Sequence, residues 1–197
     1  MRSAMAQMTS SLQDILDLLT VQGHQQYGDE AVSQLEHALQ CAALAEATSA
    51  SREMIAACLL HDLGHLLQPG GSEEGDHGDH IVLWKGDRHH EYAVLPALKP
   101  LFPAAVTEPI RLHVQAKRYL CAIDPAYHHD LSPESQRSLK HQGGILSTEE
   151  AQQFINQPFA EEAVQLRIWD DRAKIPGLVT PGLQHFMGIL AAVVNPT

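Results

Sequence analysis

Little in this sequence could staple or anchor the chain. Cysteine occurs only 3 times in 197 residues. Cys41, Cys58 and Cys121 lie far apart without CxxC spacing and among apolar neighbours. That excludes a disulfide framework and predicts buried free thiols in a reducing compartment. Basic residues are scarce as well: 13 Lys and Arg face 24 Asp and Glu, a formal charge of −11. A chain so acidic offers no basic face for a phosphate backbone, so no nucleic-acid partner is expected. No apolar run approaches the roughly 20 residues of a membrane span. The first residues, MRSAMAQMTSSLQDILDLLT, lack the unbroken apolar stretch of a signal peptide. A soluble, cytoplasmic protein without a membrane partner is expected. Strand signals, meaning β-branched alternation bounded by turns, are nearly absent, which excludes a sheet-built fold.

Helical periodicity is present instead. Leu12, Ile15, Leu16, Leu18 and Leu19 recur at three- and four-residue steps behind a Ser-rich start. Residues 31–48 repeat the pattern through Val32, Leu35 and Leu39. A third helix is predicted from a Ser49 or Ser51 cap through EMIAACLLHDLGH, with Gly64 marking its approaching end. Further helices are predicted from about residue 87 as far as Pro96, and over EPIRLHVQAKRYLCAID with Pro109 near its first turn. Three more cover 148–157, 159–173 and 181–193. The expectation is an all-α fold of six to nine helices, residues 1–197 forming one domain, with an irregular Gly- and acid-rich loop at about 66–88.

Histidine is the residue in surplus: 13 copies, as many as all Lys and Arg together. Imidazole is the commonest side-chain metal ligand, which makes a metal site the first question. The strongest local signal is His61-Asp62 followed by His65 in CLLHDLGH, directly after an apolar helical run. A carboxylate in such a pair can bridge two ions with its two oxygens, and His65 lies one turn beyond His61 where it could reach a substrate. Other polar residues interrupt patterns that call for apolar ones. His37 borders the inward stripe of QLEHALQ, and His113 interrupts the apolar face of RLHVQAK with Lys117 one turn on. His89-His90 opens a helix, and Asp170-Asp171 follows Trp169. Taken singly, each has an ordinary reading as a satisfied helix-boundary residue. Together they offer four imidazoles and two carboxylates from separate helices, enough for two ions with positions left for water and substrate. No Cys takes part, which argues against a structural zinc site.

The ordered set His37, His61-Asp62, a later histidine, His113 and Asp170 resembles the HD-domain superfamily, mostly metal-dependent phosphohydrolases. The segments QLEHALQCA, AACLLHDLGH, HVQAKRYL, LSPESQRSLKHQGG and LRIWDDRAKIPG, in that order, are similar to the phosphonate-cleaving HD-domain oxygenases. The likeness runs from about Tyr27 to Pro181. It implies an HD-domain helical bundle holding two iron ions as a mixed-valent Fe(II)/Fe(III) pair. It also implies O₂ and a small-molecule phosphonate as reactants. One iron would be held by His37, His61, Asp62 and Asp170, with Asp62 bridging to a second held by His90 and His113. His65 and Lys117 would grip the phosphonate oxygens, and Tyr27 and Glu30 would respond to the amino end of the substrate. His89, His80 and His77 compete with His90, and Asp171 competes with Asp170. His and Asp ligands alone would also suit manganese or zinc.

The family implies release of phosphate with glycine from 2-amino-1-hydroxyethylphosphonate, or with glycine betaine from its N-trimethyl analogue. Tyr27, Trp84, Tyr92 and Trp169 are candidate ring faces for a trimethylammonium, and Glu30 with the acids of 73–79 candidate counter-charges. The altered 66–89 segment tilts the expectation slightly toward the trimethylated substrate. The alternative from the same ligands is a phosphohydrolase acting on a phosphate monoester or nucleotide through a metal-bound hydroxide.

Overall fold

The structure is a computed structural model that describes residues 11–67 and 89–196. The 68–88 stretch of the sequence-predicted loop, with His77, His80, Trp84 and the acids of 73–79, lies outside the described residues, as does the first helix's Ser10. Among the described residues there are twelve helices and no strand, only an isolated bridge between Gln26 and Ser33. The all-α expectation holds, and the helix count exceeds it because several predicted helices are split and two short ones were not foreseen.

Local rules explain the first helices. α1 (Leu12–Gln22) starts at Ser11, whose side chain accepts from the Asp14 N–H while Asp14 caps the Ser11 N–H in return. α2 (Gln34–Ala47) opens with the same reciprocal box between Ser33 and Glu36. α3 (Arg52–Leu60) is capped by Ser51. The predicted single helix through HDLGH is broken: His61 and Asp62 form a turn, Asp62 lies at φ −101 ψ 8, and α4 (Leu63–Leu66) resumes after it. That break removes the constraint that adjacent helical residues diverge by about 100°.

Two short helices, α5 (His90–Ala93) and α6 (Leu95–Leu98), follow, and Pro96 sits in the first turn of α6 instead of ending a helix. α7 (Ala104–Ile123) begins four residues before the predicted start at Glu108, so Pro109 lies inside it. A single proline removes one ladder bond, and a 20-residue helix buried on one side keeps the rest. α8 (Pro125–Asp130) and α9 (Pro133–His141) are the helices the sequence reading missed; each starts on an Asp or Ser cap followed by Pro. α10 (Thr148–Ile155), α11 (Ala160–Arg172) and α12 (Leu183–Val193) fall where expected.

α7 is the central pillar. It packs on α11 and α3, and α2 packs on α3 and α11, so the four helices that carry His37, His61, His113 and Asp170 meet. The main core runs from Ile15 and Leu19 through Cys41, Cys58, Leu60 and Ile110 to Leu166, Trp169 and Phe186. The three cysteines are buried free thiols. No helix among the described residues is long and apolar enough to cross a membrane.

Candidate metal centre

The four-helix junction concentrates polar groups where a core would otherwise be apolar. His37, His61, His113 and Asp170 are each no more than 1% exposed, and Asp62 and His90 are also buried. Backbone carbonyls set the rings. His37 Nδ1 donates to Ala173 O at 2.8 Å, His61 Nδ1 to Cys58 O at 2.8 Å and His113 Nδ1 to Ile110 O at 2.7 Å. A neutral imidazole that donates from Nδ1 carries a lone pair on Nε2. The Nε2 atoms of His37 and His61 nevertheless face each other at 3.3 Å, and those of His90 and His113 at 3.1 Å. At those distances each facing pair of ring nitrogens must share a proton or a cation between them. Ligand atoms at right angles around an ion about 2.1 Å away are separated by about 3.0 Å, so the spacing fits metal ligation.

Asp62 divides its oxygens between the two histidine pairs. Oδ2 lies 3.3 Å from His61 Nε2 and 3.7 Å from His37 Nε2, while Oδ1 lies 3.1 Å from His90 Nε2 and 3.6 Å from His113 Nε2. Asp170 Oδ1 stands 3.3 Å from His37 Nε2. Asp62 Oδ2 and Asp170 Oδ1 are buried without a hydrogen-bond partner. Buried carboxylate oxygens are costly when unpaired, so both point to a positive charge that the protein itself does not supply. His61 reports the same demand: burial opposes its charged form, yet the Asp62 carboxylate beside it prevails and its pKa is pushed up to about 10. A proton there compensates charge that a bound cation would compensate instead. His113 is held well below the usual range by burial and by His90, so it stays a neutral donor. Buried donors of N and O type, with two unsatisfied carboxylate oxygens and two converging imidazole pairs, therefore fit a divalent or trivalent metal pair.

The competing residues that are described differ in their surroundings. His90 is buried, whereas the side chain of His89 is 75% exposed. Asp170 faces His37, while Asp171 accepts from Tyr127 Oη and is gripped by Arg167. Trp169 belongs to the main core, and Tyr92 is exposed with its ring against His89. His65 stacks on the His90 ring at 4.0 Å. Tyr27 stacks on His37, also at 4.0 Å. Burial and the nearby Asp170 and Asp62 carboxylates raise its phenol well above the ordinary pKa, so it stays protonated.

A cavity of about 40 Å³ opens beside the cluster, with Asp62, His90 and His113 in its wall. Four further side chains able to carry positive charge belong to the lining: His65, Lys117, Arg167 and Lys174. Lys117 is buried and donates to Ser138 Oγ at 2.7 Å. Arg167 donates to Asp170 Oδ2 at 2.6 Å and to Ser135 Oγ at 3.3 Å. Lys174 reaches Ser135 Oγ at 3.1 Å and Glu30 Oε1 at 3.3 Å. Glu30 also accepts from Ser132 Oγ at 2.6 Å and is not part of the cavity wall. Sequence reasoning missed Arg167, Lys174, Ser135 and Ser138. Arg167 left a signal, being one turn before Asp170 on the same helix; the serines lie in LSPESQRSLKHQGG, a segment noted for its family likeness alone.

Gly64 has a role that the helix-end reading does not capture. A Cβ there would lie 2.1 Å from His90 O and 2.8 Å from His90 C, so α4 and α5 touch backbone to backbone. Gly64→Ala is expected to push His90 away from His113, lowering stability by about 1–3 kcal/mol and weakening metal retention. A thermal melt with a metal assay checks this; an unchanged melting point and metal content would mean that α5 shifts freely.

Helices that converge a buried His/Asp cluster on a cation-lined cavity define a metal-dependent enzyme site of HD-domain type. No family model matches the chain. Curated relatives do match it. A hydroxymethylphosphonate dioxygenase of Gimesia maris is 48% identical over 162 residues, 82% of this chain and 78% of its own length. The glycine-betaine-forming 1-hydroxy-2-(trimethylamino)ethylphosphonate dioxygenase of Leisingera caerulea is 36% identical over 173 residues, 88% and 85% of the two chains. An uncharacterised protein of Acanthamoeba polyphaga mimivirus is 30% identical over 188 residues, 94% and 83%. The chain belongs to the family of phosphonate-cleaving HD-domain oxygenases, and it is an enzyme, a dioxygenase. The phosphohydrolase alternative is set aside.

Proposed function

We propose that the chain binds two iron ions and cleaves the carbon–phosphorus bond of a small 1-hydroxyphosphonate, with hydroxymethylphosphonate as its substrate. The observation that carries this reading is the division of Asp62 between two facing imidazole pairs, beside a cavity ringed by cationic side chains. His37, His61, Asp62 and Asp170 would hold one ion, and Asp62, His90 and His113 the other. Bound there as an Fe(II)/Fe(III) pair, the irons supply O₂ activation and Lewis acidity toward the substrate oxygens.

The protein's own residues do the rest. A phosphonate carries up to two negative charges, and Lys117, Arg167, Lys174 and His65 offset them in a chain that is otherwise acidic. Ser135 Oγ already accepts from both Arg167 and Lys174, which leaves its hydroxyl proton to donate to a substrate oxygen. Ser138 holds the Lys117 ammonium in place. Protonated Tyr27 covers the His37 face and limits water there.

The overall reaction balances as hydroxymethylphosphonate dianion plus O₂ giving formate, hydrogen phosphate and one proton. Substrate supplies all four electrons that O₂ takes up, so no external reductant is consumed. The resemblance by itself pointed toward an aminated or trimethylated substrate. The small cavity and the relative at 48% identity favour the one-carbon compound.

The test is O₂ uptake by the iron-loaded protein with hydroxymethylphosphonate, 2-amino-1-hydroxyethylphosphonate and its N-trimethyl analogue in parallel. Equal amounts of O₂ consumed and of phosphate and formate released are expected with the first. Turnover confined to either nitrogen compound would overturn the substrate, and phosphate release without O₂ would overturn the reaction. Lys117→Ala is expected to raise KM about tenfold or more, from the loss of a charge-assisted hydrogen bond, with iron content unchanged. Iron loss in that variant would make Lys117 a structural residue instead.

A further inference from the structure

One residue on the cavity wall has the wrong charge for an anion site. Besides Asp62, which faces the imidazoles, the carboxylate lining the cavity is Glu134, in the first turn of α9 next to Ser135. It does not pair with any of the cations that would meet a phosphonate. Its partner is Arg137, which also holds Asp29, so the carboxylate is tied back to the segment that carries Tyr27. The side chain lies across Gly28, a residue at φ +53; a Cβ there would stand 3.2 Å from Glu134 Cγ and 3.3 Å from Cδ. A side chain at Gly28 would be strained at that φ and would displace Glu134 by a few tenths of an ångström.

The neighbouring contacts make this edge of the cavity firm. Glu30 is bound to Ser132, Asp29 and Glu134 share Arg137, and Lys174 joins Glu30 to Ser135. The Tyr27–Glu30 segment and the start of α9 are thus cross-tied at two points, through Glu30 Oε1 and through Arg137. A wall so fixed sets the length of what fits inside a cavity of about 40 Å³.

We propose that Glu134 is a specificity-determining residue: laid across Gly28 and held by Arg137, its side chain ends the cavity where a substituent on the substrate carbon would extend. The inference rests on the reading of the chain as a 1-hydroxyphosphonate dioxygenase. Its bulk, with the charge neutralised by Arg137, confines the enzyme to the one-carbon substrate. A methyl or aminomethyl group on that carbon meets the Glu134 stem.

The experiment measures kcat/KM of the iron-loaded full chain for hydroxymethylphosphonate and for 1-hydroxyethylphosphonate, whose added methyl is uncharged. Wild type, Glu134→Ala, Glu134→Gln and Arg137→Ala are compared, with melting temperature and iron content recorded for each. Glu134→Ala is expected to shift the ratio of the two toward 1-hydroxyethylphosphonate by about tenfold or more, the usual worth of one methyl in a tight pocket, chiefly through KM. Glu134→Gln keeps the bulk and is expected to stay within about twofold of wild type by the same reckoning. Arg137→Ala, which frees the side chain to swing, is expected to shift the ratio in the same direction by less. If Glu134→Ala, or Arg137→Ala where the former fails to fold, turns over hydroxymethylphosphonate with an unchanged ratio, the proposal is overturned while the dioxygenase reading stands. A Gln variant that shifts as far as Ala would overturn the role of bulk. A wild-type enzyme inert toward both substrates would overturn the underlying reading and this proposal with it.

Discussion

Asp62→Asn is expected to abolish O₂-dependent phosphate release, with kcat down about a thousandfold or more, and to leave at most one iron per chain. The magnitude follows from losing several kcal/mol of metal-centred stabilisation, each 1.36 kcal/mol being about tenfold in rate. Asp62 is the one group whose two oxygens face different imidazole pairs, Oδ2 toward His61 and His37 and Oδ1 toward His90 and His113. Asparagine keeps the shape but removes the charge, and its amide nitrogen would direct protons at a cation or at a lone pair. One half of the centre must lose its ligand whichever way the amide turns. Burial raises the energy of the Asp62 charge, yet His61 and His90 hold its carboxyl well below the ordinary range, so the native site is built around the anion. Metal analysis of the purified variant with a turnover assay checks this. Two irons and wild-type turnover would sink the bridging assignment.

Arg167→Met is the second large effect. It is expected to lower stability by about 3–5 kcal/mol, the usual cost of stripping one partner from a buried ion pair, and so the melting temperature by about 6–20 °C for a chain of this size. Arg167 is 4% exposed and joins Asp170, Asp171, Tyr127 and Ser135. Burial works against the ionised Asp170, and Arg167 is the largest influence holding its carboxyl ionised. Methionine matches the length of the stem but leaves the Asp170 and Asp171 carboxylates without their cation. Since Asp170 then repositions, iron affinity is expected to fall about ten- to hundredfold, as when the partner of a ligand is lost. Arg167→Lys is expected to rescue poorly, because one ammonium cannot reproduce the fork that reaches Asp170, Asp171 and Ser135 together. A variant that melts earlier but keeps full iron and normal KM would make Arg167 a purely structural residue.

The two effects differ in how visible their residues were. His61-Asp62 announces itself because a polar pair follows seven apolar or small residues in a helical run. Arg167 sits in a motif that was noticed for its aspartates, and its spacing to Asp170 was available to the eye. Glu30 shows the opposite case. As a sequence it is an acid near the site, whereas in the fold it is paired with Lys174 and Ser132 and stands off the cavity wall.

Four helix starts that a side chain decides locally were legible, Ser11, Ser33, Ser51 and Ser147 each bonding to the backbone N–H three residues on, whereas the Asp124 and Ser132 caps of α8 and α9 were not. Breaks were not. The turn at His61-Asp62 and the helical run through Pro109 depend on what packs against them, which no neighbouring residue records. Gly64 looked like a stop signal and proves to be a contact point with the His90 backbone.

The sequence by itself determined the all-α class, the family and most of the histidines and aspartates that gather inside, because periodicity, caps and motif order are properties of short stretches. Only the tertiary structure buried His90 and left His89 exposed, gave each Asp62 oxygen its own imidazole pair, and put Glu134 across Gly28. Those outcomes depend on distances between segments 20 to 140 residues apart in the chain, roughly the span over which loop closure is set by overall packing and not by local preference.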